Sequence, residues 1–150
     1  MPSPPDSVCI LRLSALGDAT HVVPMIRTLQ RHRPGIAISW IIGKAEAAML
    51  KGLEGVELIV HDKRSGWAGL RQLRSALAGR RFDALLQMQL ALRANVLSTL
   101  VRADRRIGYD AARSKEGHGF VVNERIAPGG HHVLDAFGQF ADAIGCPQDR

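Results

Sequence analysis

Short apolar runs alternate with amphipathic stretches along most of the chain, and that alternation is the first structural signal. Val8–Leu13 is an aliphatic run that ends in a small-residue turn, Ser14-Ala15-Leu16-Gly17, followed by Asp18. Val22, Met25, Ile26 and Leu29 then recur on one face of a 3.6-residue period. This predicts a helix beginning near Thr20 or His21, with Pro24 in the first turn, where its missing N–H does no harm. Arg31, His32 and Arg33 complement the C-terminus of that helix, and Pro34-Gly35 stops it. Ile36–Ile42 is nearly continuous in apolar residues, as expected of a strand buried on both faces.

The same reading predicts a short helix over Lys44–Leu53 and a strand over Val56–Val60. A polar loop, His61–Trp67, precedes a helix with Leu70, Leu73 and Leu77 inward and Arg71, Arg74, Arg80 and Arg81 outward. Asp83–Met88 reads as a strand, Leu92–Val101 as a mostly apolar helix and Arg105–Tyr109 as a fifth strand. A polar loop, Asp110–His118, follows, and then a further strand or arm over Phe120–Ile126. A last helix opens at His131 and His132, with Val133, Leu134, Phe137, Phe140, Ala141 and Ile144 inward. Strands alternating with helices predict a Rossmann-like α/β domain, a parallel sheet flanked by helices. Residues 1–6 form a proline-rich lead-in and residues 7–150 one domain.

Composition narrows the function classes. A chain of 150 residues, 46 % apolar with mean hydropathy near zero, suits a globular fold. No apolar run reaches a membrane span, and Met1-Pro2-Ser3-Pro4-Pro5-Asp6 does not read as an export signal. The expected location is therefore the cytoplasm. Cys9 and Cys146 are too far apart in sequence, and too isolated, to suggest a metal or redox motif. The net charge of +6 and pI near 10.1 predict an anionic partner. Two Trp, one Tyr and four Phe, not interleaved with the basic residues, argue against a base-stacking groove and so against nucleic acid. An anionic small molecule or a lipid headgroup fits better.

The chain has neither a P-loop nor a dinucleotide-binding glycine pattern after its first strand, and no Asp-x-Asp pair. No metal or other cofactor is expected. Ser14-Ala15-Leu16-Gly17-Asp18 admits two readings, a helix N-cap carboxylate or a carboxylate presented to a ligand at the end of a strand. Lys63 and Arg64 sit in a loop at a strand end. Arg93 begins a helix, where the macrodipole ordinarily prefers acids, so a nearby anion or an intrachain carboxylate would explain it. Arg113 and Lys115 allow the same two explanations, and His132 is as readily a cap or core residue as a functional one.

Ile10-Leu11-Arg12-Leu13-Ser14-Ala15-Leu16-Gly17-Asp18, with His21 and Pro24 beyond, resembles the amino-terminal signature of family 9 glycosyltransferases, the ADP-heptose:lipopolysaccharide heptosyltransferases. The resemblance continues through Ile38–Lys44, Phe82–Gln89, Leu92–Ala94, Arg106–Tyr109, Arg113–Gly117 and His132–Asp135. The later segments are most similar to the heptosyltransferase I branch, which attaches heptose to Kdo of the inner core. Two positions depart from the family pattern: Ala19, where a larger aliphatic is usual, and Gly117-His118-Gly119, where relatives often carry an aromatic.

The resemblance implies a GT-B architecture, with two Rossmann-like domains across a cleft. It implies inverting, metal-independent transfer of heptose from ADP-heptose to a Kdo-lipid A acceptor, met at an anionic membrane surface. Asp18 matches the family's catalytic base. Ser14, Gly17, Lys63, Arg64, Arg93 and Lys115 match its substrate-binding positions. The length is that of the acceptor-binding half alone. The donor domain is thus expected to be absent from this chain, and the isolated polypeptide to be inactive. The rival readings are a non-catalytic binding domain for an acidic glycolipid and, on charge alone, a nucleic-acid-binding module.

Overall fold

A computed structural model of the chain describes residues 6–13, 16–50, 52–88, 92–108, 122, 124–125, 140 and 144, with the backbone alone at 16–21, 63, 92–93 and 124–125. The described elements run β1 (Ser7–Leu11), α1 (Leu16–His32), β2 (Ala37–Gly43), α2 (Lys44–Met49) and β3 (Val56–His61). A single 3₁₀ turn (Lys63–Ser65) leads into α3 (Gly66–Leu77), then come β4 (Phe82–Gln87), α4 (Leu92–Ser98), β5 (Ala103–Gly108) and β6 (Glu124–Arg125). The strands form one sheet in the order β3-β2-β1-β4-β5-β6, with every pairing parallel. This is the Rossmann-like α/β sheet that the alternating pattern predicts.

Alternation along β1 decides which face each helix covers. Val8 and Ile10 point to a core shared with Val22, Met25, Ile26 and Leu29 of α1, Trp40 and Ile42 of β2, Leu86 of β4, Phe140 and Ile144. Cys9 and Leu11 point to the opposite core, with Ile41, Leu73 and Leu77 of α3, Leu85 of β4, and Ala94 and Leu97 of α4. Both faces of the central strands are thus closed by helices, which is why their sequences read as continuous apolar runs. Burial pushes the Cys9 thiol up to about 12, so at neutral pH it is an uncharged apolar filler.

The N-terminal edge of the sheet is braced by polar contacts. Arg80 pairs with Glu57 at 2.6 Å and lies over the Phe82 ring, while the Ser39 hydroxyl donates to the same carboxylate at 2.9 Å. The hydrogen bond from Arg80 holds the Glu57 carboxyl below the ordinary glutamate range, against a smaller opposing effect of desolvation. Arg81 pairs with Asp104, and the Asp83 carboxylate accepts the Asp6 amide at 2.8 Å. Arg80 is therefore a structural brace, not a freely solvated outward cation.

Several boundaries differ from the sequence pattern. α1 begins at Leu16, not near Thr20, so Asp18 lies inside its first turn and not in a loop ahead of it. Pro24 consequently sits in the helix interior, where it removes one backbone hydrogen bond that the helix tolerates. α2 ends at Met49 and α4 at Ser98, both shorter than their apolar patterns suggest. The predicted loop His61–Trp67 contracts, because the 3₁₀ turn and the start of α3 take up most of it. Phe140 is helical and buried, and Ile144 is buried in a turn, while most of the predicted final helix lies outside the described residues.

Candidate functional site

In a parallel sheet every strand delivers its following loop to the same edge, and a crevice opens where consecutive connections leave in opposite directions. Here the chain runs outward from β1 to β2 and β3, then returns to place β4 on the other side of β1. The switch point therefore lies between β1 and β4. On one side of it α1 starts, with Gly17 and Asp18 in its first turn. On the other side α4 starts, with Arg93 as its second residue.

The floor of this crevice is tied down from three strands. The Met88 amide donates to the Leu11 carbonyl at 3.0 Å, and the Arg12 guanidinium donates back to the Met88 carbonyl. Arg12 also donates its amide to Ile41 at 3.2 Å, and its carbonyl accepts the Trp40 indole N–H at 3.0 Å. The Gly43 amide donates to the Leu13 carbonyl at 3.1 Å. Residues 11–13, which lead to the turn that carries Asp18, are thus bonded to β2 on one side and β4 on the other.

Gly43 is needed for proximity, not for unusual backbone angles. A Cβ built there would overlap the Leu13 carbonyl oxygen, a backbone atom that cannot rotate away. Gly43→Ala is expected to destabilise the fold by about 1–3 kcal/mol through overpacking. Urea denaturation checks this. A change within error of zero would mean that the turn after β1 is loosely held.

Beneath the start of α4 lies a buried polar pair. Gln87, the last residue of β4, donates its amide to the Asn95 side chain of α4 at 2.7 Å, and both are shielded from solvent. At the other end of α4 the Ser98 hydroxyl donates to the Asn95 carbonyl at 2.7 Å. Arg106 of β5 donates to the Ser98 and Val101 carbonyls at 2.6 and 2.7 Å, adding side-chain donors at a helix C-terminus where the Ser98 carbonyl also accepts the Val101 amide at 3.1 Å. α4 is in this way held at both ends by side-chain hydrogen bonds. Gln87, Asn95 and Trp40 were not singled out from the sequence as site residues. The available signal was a polar side chain, Gln87, closing an otherwise apolar strand.

The remaining predicted site residues distribute as follows. Lys63 and Arg64 lie in the 3₁₀ turn after β3, at the same edge of the sheet but two strands away from β1. That turn is capped by Asp62, whose carboxylate accepts the Arg64 amide at 2.9 Å, and the Arg64 side chain is exposed. Ser14, Lys115, Arg113 and His132 lie outside the described residues. Asp18, Gly17, Arg93, Lys63 and Arg64 thus share the C-terminal edge, with the first three nearest the switch point. Among the described residues no three His, Cys, Asp or Glu side chains gather as a metal ion would require. Nor does any described helix have the length and apolarity to cross a membrane.

The sequence pattern of the family described as glycosyltransferase family 9 (heptosyltransferase) matches residues 70–150. The chain is 43 % identical to the lipopolysaccharide core heptosyltransferase OpsX of Haemophilus influenzae, covering 96 % of this chain and 42 % of that protein. It is 24 % identical to lipopolysaccharide heptosyltransferase 1 of Escherichia coli, covering 92 % of this chain and 47 % of that one. Among solved structures it resembles E. coli heptosyltransferase WaaC with ADP, with a TM-score of 0.80 at 25 % identity over 96 % of this chain and 49 % of that chain. A family 9 glycosyltransferase from Veillonella parvula superposes with a TM-score of 0.79 at 19 % identity, over 97 % and 43 %. The chain spans about half the length of the relatives it matches.

Proposed function

The chain belongs to glycosyltransferase family 9, and from that premise we propose that it is the acceptor-binding part of an inverting heptosyltransferase of the lipopolysaccharide core. The observation that carries the reading is the juxtaposition at the switch point, where the helix starts bearing Asp18 and Arg93 follow adjacent strands. Asp18 is the general base. Its carboxylate takes the proton of the acceptor hydroxyl as that oxygen forms a bond to the anomeric carbon. The bond from that carbon to the diphosphate breaks, and ADP leaves from the opposite face. The reaction is proposed to need no metal and no other cofactor.

The acceptor is proposed to be a Kdo-lipid A type glycolipid, whose carboxylate and phosphates call for cations. Lys63, Arg64, Arg93 and Lys115 supply them, and arginine can bind both groups bidentately. Ser14 and Gly17 are proposed to take part in substrate binding, as the family resemblance implies. ADP-heptose is held by a further, donor-binding domain in this reading, as the family resemblance implies. Residues 1–150 tested as an isolated polypeptide are expected to bind acceptor without transferring heptose. Such an enzyme works in the cytoplasm, at the anionic inner face of a membrane.

Acceptor binding tests the reading directly. Arg64→Glu is expected to weaken the affinity of residues 1–150 for Kdo-lipid A by about tenfold or more, the worth of a lost charge-assisted contact. Arg102→Glu, an exposed position at the opposite edge, is the proper control, whereas Arg80 and Arg81 are unsuitable because of their bracing contacts with Glu57 and Ser39 and with Asp104. Equal losses in the two variants would reduce the effect to general basicity. Unimpaired binding combined with no transfer in any longer polypeptide would favour a non-catalytic glycolipid-binding module instead.

A further inference from the structure

The two tryptophans of this chain occupy opposite environments. Trp40 is 0 % exposed, whereas Trp67, in the first turn of α3, is 79 % exposed. Indole is a large apolar surface with one polar N–H, a combination suited to a boundary between water and an apolar medium. Nothing in the fold of α3 requires Trp67, since that helix is anchored through Gly69, Leu73 and Leu77.

Arg71 and Arg74 follow Trp67 at i+4 and i+7, which places all three on one stripe of α3, and both arginines are exposed. The segment from Lys63 to Arg81 contains six Lys and Arg and no Asp or Glu. Arg80 and Arg81 are engaged by Glu57 and Asp104, but Arg71 and Arg74 form no ion pair among the described residues. Two exposed, unneutralised guanidinium groups therefore line up with an exposed indole on a helix face that no described element covers. Guanidinium binds phosphate oxygens well.

We propose that this face of α3 is a membrane-contact surface, which rests the domain on anionic phospholipid headgroups with Trp67 at the headgroup level and Arg71 and Arg74 on lipid phosphates. A nucleic-acid strand would need several stacking platforms along the cationic track, and this stripe has a single aromatic. The apolar contribution is one side chain, so the contact is reversible and depends on electrostatic attraction. The proposal deepens the reading above by naming the surface that brings the domain to a lipid-embedded acceptor. Its test contains no acceptor, so the two can fail independently.

The experiment mixes the 150-residue chain with phosphatidylcholine vesicles, with or without phosphatidylglycerol, and follows co-sedimentation and tryptophan emission. Because Trp40 is buried, a change of emission on vesicle addition reports Trp67. Phosphatidylglycerol vesicles are expected to sediment the protein and shift its emission to the blue, both effects weakening with salt. Pure phosphatidylcholine is expected to do neither. The double variant Arg71→Gln, Arg74→Gln is expected to lower partitioning about 25-fold, from about fivefold per basic residue near such a surface. Trp67→Phe should remove the emission change while sedimentation persists. Arg102→Gln, an exposed cation at the far edge of the sheet, should partition within about twofold of the parent, as one charge remote from the surface would. Three results would overturn the proposal: no binding to phosphatidylglycerol vesicles, an equal loss in Arg102→Gln, or binding with no response from Trp67.

Discussion

Asp18→Asn is expected to abolish heptosyl transfer while leaving acceptor affinity nearly intact. The measurement uses a polypeptide that joins residues 1–150 to the ADP-heptose-binding portion of a family 9 enzyme, assayed for transfer to Kdo-lipid A. Asparagine keeps the size and polarity of the side chain but cannot accept the hydroxyl proton. The loss should therefore fall on kcat, by about 10²–10⁴-fold, the usual worth of a positioned general base. Acceptor affinity, which the cations of the C-terminal edge supply in this proposal, should change little. Full activity of the variant would remove Asp18 from the mechanism, and a purely KM effect would make it a binding residue.

The second large effect concerns Trp40, the largest fully buried side chain of the molecule. Trp40→Ala is expected to cost about 3–5 kcal/mol of stability, since the surrounding core cannot collapse into the space of an indole. Trp40→Phe separates packing from hydrogen bonding. It keeps most of the apolar volume but loses the N–H donated to the Arg12 carbonyl, and that loss by itself is worth about 1 kcal/mol. Urea denaturation followed by circular dichroism measures both. Amide hydrogen exchange should also rise at residues 11–13 in Trp40→Phe while α3 stays protected. A uniform rise across the sheet would mean that Trp40 is ordinary core and does not hold the turn.

How far the sequence foretells this molecule depends on the range of the interactions involved. Ile36–Ile42 and the Val22, Met25, Ile26, Leu29 stripe state their roles locally, because burial on both faces of a strand or one face of a helix leaves a periodic trace. The sequence pattern starts α1 too late because proline is commonest in a first turn, which is where it sets Pro24. The helix instead passes through it, held by the core contacts of Val22, Met25, Ile26 and Leu29. The roles of Arg80 and Gln87 were invisible for a different reason. Each depends on a partner that only the strand order brings close, Glu57 in one case and Asn95 in the other. For the candidate site, the edge at which Asp18, Lys63, Arg64 and Arg93 gather follows from reading strands and helices as alternating. Their unequal distances from the switch point required the sheet order itself.

Sheet order also has a consequence for how this chain comes into being. β1 is made before the other described strands, yet it lies in the interior of the sheet, and residues 8–11 pair with residues 84–87 on one side. While the ribosome is still synthesising α3, Val8-Cys9-Ile10-Leu11 has β2 on one flank and an open row of backbone donors and acceptors on the other. An apolar strand in that condition is a template for pairing with other nascent chains. The interval ends only when β4 emerges, after Arg80 and Arg81 have been made. A polypeptide released before Met88 would present that open edge permanently and should accumulate as aggregate, whereas one released beyond β5 has the partners that close it.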